Sequence, residues 1–122
     1  MLANCFAVGI GGFIGSVIRY LCGFIAPDAT FPWVTMTINI VGSFLLALIA
    51  GLVLRGFIDN PQIALMLQVG FCGGFTTLST YCVQMVDMLQ NGAIGDAVVY
   101  GVITCVVTVL AAFLGTWAAL RV

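Results

Sequence analysis

The chain has 122 residues, of which 63% are hydrophobic and only 6% charged. Soluble domains carry roughly 25% charged residues, so this composition excludes a fold that keeps its surface in water and implies an integral membrane protein. Three arginines (Arg19, Arg55, Arg121) face four aspartates, with no lysine, glutamate or histidine, which leaves no basic footprint for a nucleic-acid partner.

A helix that crosses the hydrocarbon core needs about 20 mostly apolar residues. The first segment of this kind runs from Leu2 to about Ile25. It has no basic leader and is too long for a signal-peptide core, so it reads as a first span. Its glycines Gly9, Gly11, Gly12 and Gly15 include a spacing of four that lets helices approach closely, and packing is their expected role. A second segment, Trp33 to about Leu54, carries Thr35, Asn39 and Ser43 at i, i+4 and i+8, on one helical face.

The third segment runs from Pro61 to about Leu89, with Asp59 or Asn60 as the candidate cap. Within it, Gly70 to Tyr81 reads GFCGGFTTLSTY, two adjacent glycines and a run of hydroxyl side chains inside an oily stretch. Glycine weakens a helix, and in lipid every freed backbone group must find a partner inside the protein. The pattern predicts a helix broken near its middle, at an ion or substrate site. The fourth segment, about Ile94 to Leu120, repeats the stripe with Tyr100, Thr104 and Thr108. Turn residues (Pro27, Asp28, Pro32, Asn91, Gly92) fill the short connections, and Trp33 and Trp117 fall near helix ends, as interfacial tryptophans do.

The expected architecture is therefore all-α, four transmembrane helices at residues 2–25, 33–54, 61–89 and 94–120 in one multi-pass domain, with membrane lipid as its solvent. With no stretch left for an extramembrane domain and no phosphate-binding loop, the chemistry expected is permeation, not catalysis. Five scattered cysteines, an odd number without a paired motif, read as small hydrophobes and not as a disulfide framework. Arg55 and Arg121 fall on the side of the N-terminus and Arg19 is biased to the other. This leans towards cytoplasmic termini, yet the balance is close enough for insertion both ways as an antiparallel pair.

The aspartates lie in loops or near helix ends, so no carboxylate is expected at mid-membrane, where a cation or proton pathway usually needs one. Arg19 is the one ionisable side chain well inside a span, about 9 Å from its end. It either snorkels to the headgroups or draws anions into a vestibule. A single Ser or Thr ordinarily bonds back to its own helix. Asn39 needs partners from elsewhere, and three stripes in so short a chain, the third being Thr76 with Thr80 and Ser79 close by, favour a hydrogen-bonding pathway for an anion.

The stretches GGFIG (Gly11–Gly15) with Arg19, TINIVGSF (Thr37–Phe44) and GFCGGFTTLSTY (Gly70–Tyr81) resemble the fluoride channels of the CrcB (Fluc) family, nearly end to end. The resemblance implies an antiparallel, dual-topology homodimer of four-helix subunits in a cell inner membrane or plasma membrane. It implies two fluoride pores and a structural sodium ion at the dimer centre, with the backbone carbonyls of Gly73 and Thr76 as its ligands. Asn39 would donate to fluoride; Ser79, Thr80, Thr104 and Thr108 would form a polar track, with Tyr100 towards a pore end. Where the family presents two phenylalanine edges to the ion, this chain has Leu78 and Tyr81. Tyr81 keeps a ring edge; Leu78 has no quadrupole to offer. Export of cytoplasmic fluoride is the implied activity. Two other readings are a small multidrug-resistance-type exporter, which the lack of any mid-helix acid disfavours, and a non-conducting partner subunit of a heteromeric fluoride channel.

Overall fold

A computed structural model describes residues Met1–Val122. Helix α1 spans Leu2–Cys22 and α2 spans Trp33–Leu54. The third segment is a composite: α3 (Pro61–Leu65), a π-helical stretch (Met66–Cys72), the single turn α4 (Gly73–Phe75), two extended residues, and α5 (Leu78–Gln90). Helix α6 (Ile94–Arg121) completes the chain. Four helical segments are long and apolar enough to cross a membrane, the composite one counted whole. With 21 residues, α1 is about 30 Å long, the thickness of the hydrocarbon core.

The ends follow local chemistry. Helix α1 stops at Cys22, short of Ile25, because the chain tightens there: Phe24 N–H bonds to Leu21 and Ile25 N–H to Cys22. Of the two cap candidates before Pro61, Asn60 takes the role, its side-chain oxygen accepting from Gln62 N–H at 2.9 Å and Ile63 N–H at 3.1 Å. At the far end of α2, Gly56 adopts a φ of 76°, the left-handed turn that glycine enters without a Cβ penalty.

Only 17 of 122 residues are buried, so most apolar side chains face outwards, as they do when lipid is the solvent. Helix α2 packs chiefly along α6, and α1 along the π-helical stretch and α4. The second contact is backbone against backbone. A Cβ at Gly11 would run into the Met66 carbonyl, one at Gly15 into the Phe71 carbonyl, and one at Gly74 would sit 2.7 Å from the Gly12 carbonyl oxygen. A Cβ at Gly9 would meet nothing within 4 Å. Small residues are what let helices close to this distance when no hydrophobic force drives them together.

Gly11→Ala and Gly15→Ala are expected to destabilise the protein by about 1–3 kcal/mol each, the cost of overpacking against a backbone that cannot yield. Gly9→Ala should be neutral. Thermal unfolding in detergent micelles separates the three.

Candidate functional site: a broken helix between two polar cavities

The composite segment opens at two threonines, not at its glycines. Gly73 keeps helical dihedrals (φ −64°, ψ −37°). Thr76 (φ −78°, ψ 158°) and Thr77 (φ −151°, ψ 108°) are extended. What holds them so is Asn39 on α2. Its amide Nδ2 donates to the Thr77 carbonyl at 3.0 Å, and its Oδ1 accepts from the Thr77 N–H at 2.8 Å. One side chain thus satisfies both peptide groups of a residue that lipid would otherwise leave unpaired. Thr77 then caps α5: its Oγ1 accepts from Thr80 N–H at 3.3 Å and donates to Thr80 Oγ1 at 2.9 Å.

These bonds redirect specific partners. In an unbroken helix Thr77 N–H would bond to the Gly73 carbonyl and Thr80 N–H to the Thr76 carbonyl. The first goes to Asn39 and the second to the Thr77 hydroxyl. The Gly73 and Thr76 oxygens therefore lose their helical donors. Of the two carbonyls between them, that of Gly74 accepts from Arg19 Nε at 3.0 Å, with Ser16 Oγ 3.5 Å away.

A cavity lies on each side of the Asn39–Thr77 clamp. The larger, of about 510 Å³, is lined by Arg19, Ser16, Thr35, Thr77, Thr80 and Gln84 among others. The smaller, of about 250 Å³, is lined by Asn39, Ser43, Thr76, Leu78, Tyr81, Thr104, Cys105 and Thr108, with Gly42 and Leu46. No carboxylate borders either one. The α2 stripe is thereby divided, Thr35 in the first cavity and Asn39 and Ser43 in the second.

The hydroxyls are not equivalent. Thr104 is 5% exposed, and its Oγ1 has no hydrogen-bond partner. Thr108 bonds back to the Thr104 carbonyl at 2.6 Å, the local bond a helical threonine usually makes. Tyr81 donates to the Gly101 carbonyl at 3.3 Å, which ties α5 to α6. Ser79 is exposed, lies 3.4 Å from the Thr77 hydroxyl and lines neither cavity. Tyr100 is fully buried against Met36, Met88 and Ala97, its hydroxyl donating to Gln84 Oε1 at 2.9 Å. Leu78 is 72% exposed at the rim of the smaller cavity. Gly73 is exposed, with nothing close to where a side chain would stand.

Sequence reasoning singled out Asn39, Thr76, Thr80, Thr104, Thr108, Arg19 and Tyr81, which the fold gathers around the clamp. It missed Thr77, Ser16 and Gln84. Thr77 carried a signal, a hydroxyl three residues before Thr80 at a helix start. Ser16 and Arg19 share a face at i, i+3.

A family model described as "CrcB-like protein, Camphor Resistance (CrcB)" matches residues 6–116. Among curated relatives, a protein of Novosphingobium aromaticivorans named fluoride-specific ion channel FluC is 42% identical, over 94% of each chain. Proteins of the same name from Agrobacterium fabrum and Chlorobium chlorochromatii are 39% and 45% identical. The former alignment covers 93% of this chain and 94% of the relative; the latter covers 74% and 71%.

Asn39→Leu strands a buried N–H and a buried carbonyl, at about 1–3 kcal/mol each. Thr77→Val removes the cap acceptor and the hydroxyl's bond to Thr80 but leaves both peptide groups of Thr77 on Asn39, a loss of about 1–2 kcal/mol. Chemical or thermal unfolding in micelles is expected to rank the two variants in that order.

Proposed function

This chain belongs to the CrcB-like family, and on that premise we propose that it is a passive fluoride channel through which cytoplasmic fluoride leaves the cell. The family resemblance to proteins named as ion channels makes it a conduit and not an enzyme. Membership also removes the small multidrug-resistance-type exporter from consideration. Fluoride enters as the neutral acid, dissociates at cytoplasmic pH and is trapped; an anion pathway lets it run down its electrochemical gradient.

The observation that carries this reading is the buried, unpartnered hydroxyl of Thr104 in a cavity with no carboxylate. An unpaired donor in such a place is costly unless something else occupies it. A small anion satisfies it. The Asn39 amide has a second N–H beyond the one given to Thr77 and lines the same cavity. Thr108 completes the wall, and Tyr81 contributes a ring edge. On the other side of the clamp, Arg19 gives the larger cavity a positive potential, with Thr80 beside it. In this reading Tyr100 acts from within the wall, through Gln84, and Ser79 faces a second subunit.

A structural sodium ion is part of the proposal. The Gly73 and Thr76 carbonyls fit a hard cation, which takes oxygen ligands, because both have lost their helical donors. Gly73 is exposed on the outer surface of the subunit, so an antiparallel second copy would supply the remaining oxygens. When bound, the ion would take the place of the lost donors on these carbonyls and join the two broken segments. Dual topology in an inner or plasma membrane follows from the same reading, with Arg55 and Arg121 on one side set against Arg19 towards the other.

Leu78 favours one variant of this reading, a partner subunit of a paired channel, since the rim it occupies carries no ring there. Expression alone in a fluoride-sensitive bacterium decides: rescue of growth supports the single-chain channel, and rescue only with a second family chain supports the pair.

Proteoliposomes holding only this protein are expected to release fluoride and retain chloride; equal fluxes would refute the assignment. Thr104→Val should lower fluoride flux by about tenfold, the rate equivalent of one lost hydrogen bond. Its unfolding midpoint should stay the same or rise, because an unpaired buried hydroxyl is replaced by an isosteric methyl. Leu78→Phe is expected to change the flux, and an unchanged rate would remove this position from the pathway.

A further inference from the structure

Two adjacent glycines place very little restraint of their own on the turn that carries the open carbonyls. Gly73 has open space on its Cβ side, so no packing holds it there. Yet the Gly73 and Thr76 oxygens serve a cation only if their directions are fixed. Asn39 fixes the far end of this turn through the Thr77 N–H, and Arg19 makes the external bond at its glycines. Its Nε donates to the Gly74 carbonyl at 3.0 Å, and Ser16 Oγ lies 3.5 Å from the same oxygen. Peptide units are planar, so fixing the Gly74 carbonyl fixes the whole plane between Gly74 and Phe75. The Gly73 carbonyl belongs to the plane immediately before it, and the Thr76 carbonyl to the plane whose Thr77 N–H is held by Asn39.

We infer that Arg19 is a positioning residue for the cation site: it holds the Gly74 carbonyl aside so that the neighbouring Gly73 carbonyl stays turned towards sodium, beside the Thr76 carbonyl whose peptide Asn39 holds. This role rests on the sodium site proposed above and is separate from the attraction of anions into the larger cavity. The two roles act on sodium with opposite sign. By charge alone Arg19 repels a nearby cation, so its removal would tighten sodium binding. By positioning, its removal loosens the ligands and weakens binding.

Sodium titrations read this directly. The purified full-length protein is unfolded thermally in micelles at rising sodium, with N-methylglucamine holding ionic strength constant. Ligand linkage gives an apparent Kd from the concentration dependence of the midpoint, and a uniform loss of stability does not move that Kd. Arg19→Met is expected to weaken it by about tenfold, the scale of one charge-assisted hydrogen bond. Arg19→Lys keeps the charge but loses the planar Nε donor, and should also weaken it. Ser16→Ala should shift it in the same direction by less. An unchanged or tighter Kd in Arg19→Met overturns the role. Should that variant not fold, a wild-type Kd in Arg19→Lys overturns it. A wild-type protein that sodium does not stabilise at all would instead sink the cation site itself, and this role with it.

Discussion

Lipid offers no hydrogen bonds, so a helix interrupted inside a membrane survives only if the protein itself accepts what the interruption releases. Here that demand falls on Asn39. A single amide has one acceptor and two donors, and it meets both the N–H and the carbonyl of Thr77. The remaining features of the site follow from that pairing. Thr77 is free to cap α5, α5 begins at Leu78, and the Gly73 and Thr76 oxygens are left without their helical donors. The clamp also separates the two cavities, since Thr77 borders one and Asn39 the other.

The second constraint is closeness. Backbone can be bonded across segments only if the segments nearly touch, and α1 approaches the π-helical stretch without side chains between them. Gly70 and Gly74 meet Gly12, while Gly11 and Gly15 meet Met66 and Phe71. The approach brings Arg19 and Ser16, further along α1, to the Gly74 carbonyl. The wide turns between Met66 and Cys72 belong to the same accommodation; π-helical insertions are uncommon and are frequently found at functional sites. The glycines of α1 thus have no polar role, yet they determine which carbonyl an arginine can reach.

Much of this was legible from residues alone. Length and hydropathy mark each span because a membrane helix must be both long and apolar. Asn39 stands out because an amide cannot be satisfied within one helix. The place of the break was less legible. Glycines suggest weakness, and the reading from composition puts the interruption on them; the extended residues are instead Thr76 and Thr77. The reason is that the break is imposed from α2, by a contact between residues 38 positions apart, and local propensity cannot report it. Tyr100 shows the same limit. Its stripe with Thr104 and Thr108 is real, but Phe31 and Tyr81 close over it, and only the fold reveals that its hydroxyl bonds Gln84, which lines the larger cavity.

The carbonyls of Gly73 and Thr76 are main-chain atoms, present whatever side chain the residue bears. No point substitution can delete them, and the open space beside Gly73 would even admit a Cβ. Inherited damage to the cation site proposed for them would accordingly gather not at the residues that own the oxygens but at those that aim them: Asn39 on one helix, Arg19 on another, and Thr77 between. A survey of inactivating variants would outline such a site by its scaffolding and leave the proposed ligands nearly blank.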